Sequence, residues 1–325
     1  MKLEELGLKG KVILAPMAGI TSEGYRKYMA TFHPTFCVTE MVSDMGLIYG
    51  NDETARYINF EKLDIPTGVQ LFGHDAECLK KAAEIALNAN PNIDFIDINM
   101  GCPVPKVTKT GAGSSLLLNP KLCGDIIRAI KSVTDKPITA KIRLGWDDKS
   151  INFLEVIKEL EEAGVSLIGI HARTKKELYM GQPHYELLKD LRKKMNVPLA
   201  VSGNIFTLDD AINALKITGA DYVMVARGGM GNPFLIEQIN HYYQTGERLL
   251  SPSLDEQIKY CLDLADYLIK EKGEERAMRV YRGIATKFFN GYPNCKELKA
   301  KLSQNLINKQ SLIDIIENYR KENEI

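Results

Sequence analysis

Cys102 follows a short run, IDIN (96–99), and lies between Gly101 and Pro103. IDIN reads as the end of a buried strand, and the flanking Gly and Pro read as a tight turn held around the thiol. A thiol with a pKa near ~8.5 is mostly protonated at pH 7 yet acidic enough to give its proton up, which suits a general acid. Cysteine is also a small residue that is commonly buried for packing alone, so both readings stand at this point. The other five cysteines (Cys37, Cys78, Cys123, Cys261, Cys295) are scattered with no C-x-x-C pair. That spacing argues against a zinc site or a redox dithiol, so no metal is expected. Sparse cysteines in a long chain read as reduced thiols and a cytoplasmic location.

Other residues able to do chemistry close successive apolar runs. Met17 and Gly19 follow the first run, Glu40 closes the second, Gln70 the third, and Asn99 and Cys102 the fourth. Lys141 and Arg143 lie on the fifth, His171 and Arg173 close the sixth, Ser202, Gly203 and Asn204 the seventh, and Arg227, Gly228 and Gly229 the eighth. A lysine within a buried strand needs an anion: either a neighbouring carboxylate such as Asp97 or a bound electron-accepting ring. Gln70 both donates and accepts, which fits the imide edge of a flavin or a pyrimidine. SGN (202–204) and ARGGMGN (226–232) have the glycines that let backbone N–H groups approach a phosphate, with Arg227 adding charge. Tight turns alone would also use those glycines. His171 reads as a ligand contact or a satisfied core histidine, and Glu40 as a carboxylate on the rim.

The runs that carry these residues are 12–17, 36–41, 67–73, 95–100, 137–145, 166–172, 198–204 and 221–229. Segments 76–89, 120–133, 152–164 and 208–219 have apolar residues at three- and four-residue spacing, the helical signature. Alternation of this kind predicts parallel strands with crossover helices, and eight strands predict a closed (β/α)8 TIM barrel. A doubly wound sheet lacks its usual GxGxxG after the first strand. In a TIM barrel the carboxyl ends of the strands carry the active site, and the loops after strands 7 and 8 bind phosphate. The barrel pattern predicts a catalytic domain over 1–244. A polar linker over 245–255 and a small helical domain over 256–325 complete the α/β architecture.

The 325 residues contain 42 Lys and Arg against 42 Asp and Glu. A nucleic-acid partner would therefore be held by a local basic patch. The charged start, MKLEELGLKGK, has no apolar signal-peptide core. No apolar run is long enough to span a bilayer, so no membrane partner is expected.

Eight segments together carry a resemblance: APMAGIT (15–21), TEMVSD (39–44), VQLFG (69–73), DINMGCPVPKV (97–107), KIRLGW (141–146), IHARTKKELYMG (170–181), SGNI (202–205) and ARGGMGNPFL (226–235). They resemble the bacterial branch of the tRNA-dihydrouridine synthases. The resemblance implies FMN as cofactor, NADPH or NADH as reductant and tRNA as substrate. It implies FMN contacts from Pro16, Met17, Ala18, Gln70, Lys141, His171, Ser202, Gly203, Asn204, Ala226 and Arg227, with Cys102 as catalytic acid and Asn99 and Arg173 at the substrate. Ser202-Gly203-Asn204 departs from the Asn-Gly-Asp common in that family. A small-molecule FMN oxidoreductase of the dihydroorotate or dihydropyrimidine dehydrogenase type is the alternative, as is the same reaction on ribosomal RNA. A non-catalytic RNA-binding factor on the same barrel is a third reading, disfavoured by the intact Cys102.

Segment 276–309 separates these readings, because a small-molecule enzyme has no need of it. It holds eight basic residues and one acid, Glu297. A helix over 276–289 would place Arg276, Arg279, Arg282 and Lys287 on one arc and Val280, Tyr281, Ile284, Ala285, Phe288 and Phe289 on the other. Arg279, Arg282 and Lys287 are thus expected to contact RNA phosphates, although a solvated face is the commoner meaning of such a run.

Overall fold

The computed structural model describes residues 3–323. Eight parallel strands close into a barrel in sequence order: β1 (Val12–Leu14), β2 (Phe36–Ser43), β3 (Thr67–Phe72), β4 (Phe95–Asn99), β5 (Ile138–Arg143), β6 (Leu167–His171), β7 (Leu199–Ser202) and β8 (Tyr222–Val225). The TIM barrel expected from the alternating pattern is the fold observed. The helices are α1 (Glu23–Ala30), α2 (Asp44–Ile48), α3 (Asp52–Ile58), α4 (Ala76–Ala89), α5 (Pro105–Thr108), α6 (Pro120–Lys131), α7 (Phe153–Ala163), α8 (Leu208–Thr218) and α9 (Leu235–Thr245). Those read from periodicity are α4, α6, α7 and α8. The five-residue α2 and seven-residue α3 are too short to show a period. Between β6 and β7 two turns of 3-10 helix, Tyr185–Leu188 and Leu191–Lys194, stand in place of an α-helix.

Side chains of a barrel strand alternate between the interior and the helical shell. In β4, Ile96 and Ile98 join the shell core, whereas Phe95 packs in the interior cluster with Phe36, Val38, Leu167 and Met224. Phe36 and Phe95 meet edge to face, with centroids 5.0 Å apart. Gly68 on β3 makes room for that ring, since any Cβ there would overlap it. This apolar plug fills the lower barrel. Above it the inward positions become polar: Asp97 and Asn99 on β4, and Thr139, Lys141 and Arg143 on β5. Register sets Asn99 beside Lys141, Lys141 beside Gly169, and Arg143 beside His171.

Four more helices follow: α10 (Leu254–Lys272), α11 (Glu274–Ala285), α12 (Cys295–Asn305) and α13 (Lys309–Asn323). The irregular connection before them spans only 246–253, because α9 continues to Thr245 and a capping box of Ser253 and Glu256 starts α10. This helical region is tied to the barrel. The Tyr28 hydroxyl donates to the Tyr260 carbonyl at 3.0 Å. The Glu271 carboxylate accepts from Ser22 Oγ at 2.7 Å and Gly24 N at 2.9 Å, capping the start of α1 from another element. Gln257 Nε2 donates to the carbonyls of Gly231 and Phe288, both at 3.0 Å. No helix among the described residues is long and apolar enough to cross a membrane.

Candidate active site

The carboxyl ends of the strands enclose a cavity of about 440 Å³, within the range of small-molecule sites. Cys102 and Asn99 line it together with Pro16, Met17, Ala18, Gln70, Lys141, His171, Ser202, Gly203, Asn204, Ala226 and Arg227. Positions scattered over more than two hundred residues of sequence thus meet on one surface.

Cys102 is held from three sides. Asn99 Oδ1 accepts from the backbone N–H groups of Gly101 (3.2 Å) and Cys102 (2.8 Å), folding the chain back over the strand end. The Cys102 carbonyl accepts from Ser114 N at 3.0 Å. Arg143 Nε donates to the Gly101 carbonyl at 2.9 Å. Cys102 is free and only 9% exposed. Burial pushes its thiol pKa up, and the Val104 N–H, Arg143 and Lys141 offset this only in part. The thiol therefore stays protonated at neutral pH, as a proton donor requires.

Lys141 has no carboxylate within ion-pair distance among the described residues. The pairing with Asp97 weighed from sequence is not formed, because Asp97 is occupied by Gln70 Nε2 at 2.6 Å and Thr139 Oγ1 at 2.5 Å. Burial first, then the Arg143 charge, lowers the Lys141 pKa to about 8, with Asp97 and Cys102 opposing. An ammonium in that state faces the cavity and lacks an anion.

His171 closes β6, the strand next to that of Lys141, and stands beside Arg143 in the register. Arginine can only donate, so His171 Nε2 accepts from Arg173 Nη1 (3.2 Å) and Nδ1 carries the proton. Burial, reinforced by Lys141, Arg143, Arg173 and Arg227, drives the imidazole pKa well below its usual value, so the ring is neutral. Next to it the buried Ser202 hydroxyl has no partner among the described residues. Gly203 (φ 135°) and Asn204 (φ 50°) leave the strand in the left-handed region. Gly228 packs so closely on Ile205 that a Cβ would strike its carbonyl. Arg227 lies over the rings of Tyr179 (5.4 Å) and Phe206 (5.6 Å). A buried unpaired hydroxyl, a tight backbone turn and a guanidinium make a fitting seat for a phosphate group.

Two expectations about strand-end residues need correcting. Arg173 does not line the cavity. It is fully buried and works as a strut, donating to the Met180 carbonyl (2.8 Å), the Gly181 carbonyl (2.6 Å), Asn204 Oδ1 (3.1 Å) and His171. Arg143, on the adjacent strand, lines the cavity instead. Glu40 is not at a rim. β2 continues to Ser43, and an irregularity between Val38 and Met41 turns Met41 into the cavity. Glu40 is left buried, accepting from Gly19 N at 2.5 Å and so pinning the loop that carries Pro16, Met17 and Ala18.

The basic arc is less bare than the sequence window implied. The α-helix ends at Ala285 and continues as a 3-10 turn through Phe289. Tyr281, Ile284, Ala285, Phe288 and Phe289 are buried as expected, and Val280 is half-buried. Arg276, Arg279 and Lys287 are exposed, but Arg279 pairs with Glu275 at 2.8 Å. Arg282 Nε caps the end of α12 through the Leu306 carbonyl at 2.9 Å. None of these residues lines the cavity. Tyr179, which does line it, was not singled out from sequence. It is half exposed at the mouth on a loop that Arg143 holds by the Thr174 (2.7 Å) and Leu178 (2.8 Å) carbonyls.

Known proteins resemble this chain in sequence and in fold. Residues 13–323 match the family model for dihydrouridine synthase (Dus). The chain is 34% identical over 304 residues to a tRNA-dihydrouridine synthase B of Pseudomonas putida, covering 93% of this chain and 89% of that one. It is 31% identical to a probable tRNA-dihydrouridine synthase 1 of Synechocystis, covering 94% and 85%. An old yellow enzyme homologue from Zymomonas mobilis shares the fold, with a TM-score of 0.50 at 13% identity over 76% of this chain and 92% of that one. A match that runs from the first barrel strand into the last helix establishes that the chain belongs to the dihydrouridine synthase family.

Proposed function

We propose that this chain is a tRNA-dihydrouridine synthase that binds FMN in the cavity and reduces the C5–C6 bond of uridines. When bound, FMN supplies the hydride that reaches C6, and NADPH or NADH recharges it. The chain's own residues do the rest. Ser202 Oγ, the Gly203–Asn204 turn and Arg227 hold the phosphate. His171 offers Nδ1–H as a neutral donor. Lys141 supplies the cation that stabilises negative charge on the ring system. Pro16, Met17, Ala18, Gln70 and Ala226 form the remaining walls. Asn99 binds the uracil edge, and the Cys102 thiol delivers the proton to C5.

One observation carries this reading: a thiol kept protonated by burial shares a cavity with an ammonium that has no carboxylate partner among the described residues. The Ser-Gly-Asn sequence at 202–204 still offers the backbone N–H groups of a tight turn, with Gly203 and Asn204 at positive φ. Its Asn204 side chain lines the cavity and accepts from Arg173 Nη2 at 3.1 Å.

RNA reaches the site along the helical region, where exposed Arg276, Arg279 and Lys287 contact phosphates. Arg282 acts there chiefly as a cap. The Arg279–Glu275 pair is exposed and weak, so a phosphate can displace it. The target base must leave its stack to enter the cavity. A tRNA substrate implies a cytoplasmic location. Mapping dihydrouridine in tRNA and ribosomal RNA from a strain lacking the gene tests the assignment. Loss at defined tRNA positions supports it, and loss confined to ribosomal RNA redirects it. Unaltered RNA together with reduction of a free pyrimidine by the purified protein replaces it with the small-molecule alternative.

A further inference from the structure

Asp97 is a carboxylate inside the barrel, 3% exposed, that does not line the cavity. Its two oxygens accept from Gln70 Nε2 and Thr139 Oγ1. Gln70 Oε1 accepts in turn from Asn99 Nδ2 at 2.8 Å. Asn99 Oδ1 accepts from the N–H groups of Gly101 and Cys102. A chain of hydrogen bonds thus runs from the barrel interior to the backbone of Cys102.

The two ends of this chain differ in kind. Burial raises the pKa of the Asp97 carboxyl, yet it meets Gln70 Nε2 with an acceptor oxygen, and backbone N–H groups only donate. Two amides lie between, and each can be turned either way in isolation. Between these ends only one arrangement leaves no donor facing a donor and no acceptor facing an acceptor. Gln70 must point its nitrogen at Asp97 and its oxygen at Asn99. Asn99 must then point its nitrogen at Gln70 and its oxygen at the turn.

That arrangement has a consequence at the cavity wall. Both lone pairs of Asn99 Oδ1 are engaged, and one of its two N–H groups is engaged. Its remaining capacity is a single N–H donor. A lone donor complements a ring carbonyl, such as those of uracil, and offers nothing to the exocyclic amino group of cytosine. We propose that Asp97 is a positioning residue that fixes the Gln70–Asn99 relay, so that Asn99 presents an N–H donor to a pyrimidine carbonyl and holds the Cys102 turn in place. The proposal rests on the reading of the cavity as a uridine-reducing site. It adds a residue outside the cavity that sets base recognition within it.

A double-mutant cycle on the flavin-loaded full chain tests it, with kcat and KM measured on tRNA lacking dihydrouridine. Asp97→Ala and Asn99→Ala should each lower kcat by about 10- to 100-fold. If Asp97 acts through Asn99, the double variant should be no worse than the poorer single variant, because coupled residues are non-additive. Asp97→Asn, which still accepts from Gln70, should stay within about threefold of wild type. Hydrogen exchange of the Gly101 and Cys102 amides should quicken in Asp97→Ala, and this can be read whether or not the variant turns over.

Multiplicative losses in the double variant, or Asp97→Asn as impaired as Asp97→Ala, overturn the proposal, the latter by assigning Asp97 a charge role. If Asp97→Ala fails to hold flavin, Asp97→Asn decides: retained uridine reduction supports the relay, and lost reduction overturns it. Failure of the wild type itself to form dihydrouridine counts against the uridine assignment and leaves the hydrogen-exchange result to judge the relay.

Discussion

Arg143 Nε donates to the carbonyl of Gly101 at 2.9 Å, one residue before the thiol of Cys102. The same guanidinium holds the Thr174 and Leu178 carbonyls of the mouth loop through Nη1. One side chain therefore fixes both the turn that aims the acid and the loop that carries Tyr179. Lysine keeps the charge but lacks the fork that serves several carbonyls. Hydrogen bonds to charged groups contribute about 1.5–3 kcal/mol, so Arg143→Lys should lower kcat by about 10- to 100-fold. Steady-state kinetics at saturating flavin measures this, and a change confined to KM for RNA would place Arg143 in binding alone.

Replacing the acid separates the two halves of the cycle. Cys102→Ala should retain the fold and the bound flavin while losing about 10²–10⁴-fold in uridine reduction, the usual contribution of a general acid. Oxidation of NADPH by the flavin without RNA should continue, because no proton is delivered to carbon in that half. Stopped-flow absorbance without RNA and dihydrouridine formation with RNA report the two halves independently.

Lys141 gives the site a pH dependence of defined sign. Its pKa in the ligand-free protein is lowered to about 8 by burial, so the charge is present below that pH and lost as pH rises through it. Binding of anionic FMN to the apoprotein should weaken between pH 7 and 9, approaching a tenfold loss per unit above 8. Lys141→Met should bind FMN more weakly and show no such fall. The Cys102 thiol is shifted up, so loss of its proton comes at higher pH than an ordinary thiol would give. Fluorescence titration of the apoprotein with FMN across this range provides the check.

The barrel plug yields a prediction for stability. Gly68 leaves the space filled by the Phe95 ring. Gly68→Ala forces an overpacked interior, which typically costs about 1–3 kcal/mol and occasionally more. Urea unfolding should show a lower midpoint, whereas an unchanged midpoint would mean that the ring has room to move.

Much of the fold and site is legible in the chain because it is local or periodic. Eight β-rich runs with helices between several of them imply the barrel, and the rule that barrel chemistry lies at strand ends gathers Cys102, Lys141, His171 and Ser202 into one site. What escapes depends on contacts between distant segments. Arg143 and Arg173 both sit near strand ends, and sequence alone does not reveal that one opens on the cavity while the other is enclosed by the returning 180–181 segment. Strict alternation would turn Glu40 inward, but a shift in register after Val38 redirects it to Gly19. The basic arc reads as nearly free of acids because the segment begins one residue after Glu275. The use of Arg282 as a cap depends on Leu306, twenty-four positions away.

The phosphate-binding role of the helical region can be tested by its salt dependence. Arg276→Glu, Arg279→Glu and Lys287→Glu combined should weaken tRNA binding and flatten its dependence on salt, by about 0.7–0.9 in log–log slope for each phosphate no longer neutralised. Adding Arg282→Glu should chiefly lower thermal stability, since the guanidinium caps α12. An unchanged slope in the triple variant would return these residues to a solvated face.

Reconstituted turnover with purified components tests the central claim most directly. The flavin-loaded protein, NADPH and tRNA transcribed without modifications are incubated, and dihydrouridine is mapped by position. NADPH-dependent dihydrouridine is expected at defined positions, formed about 10²–10⁴-fold more slowly with Cys102→Ala. Rapid oxidation of NADPH with every uridine left intact in the wild-type reaction, or equal product from Cys102→Ala, would contradict it.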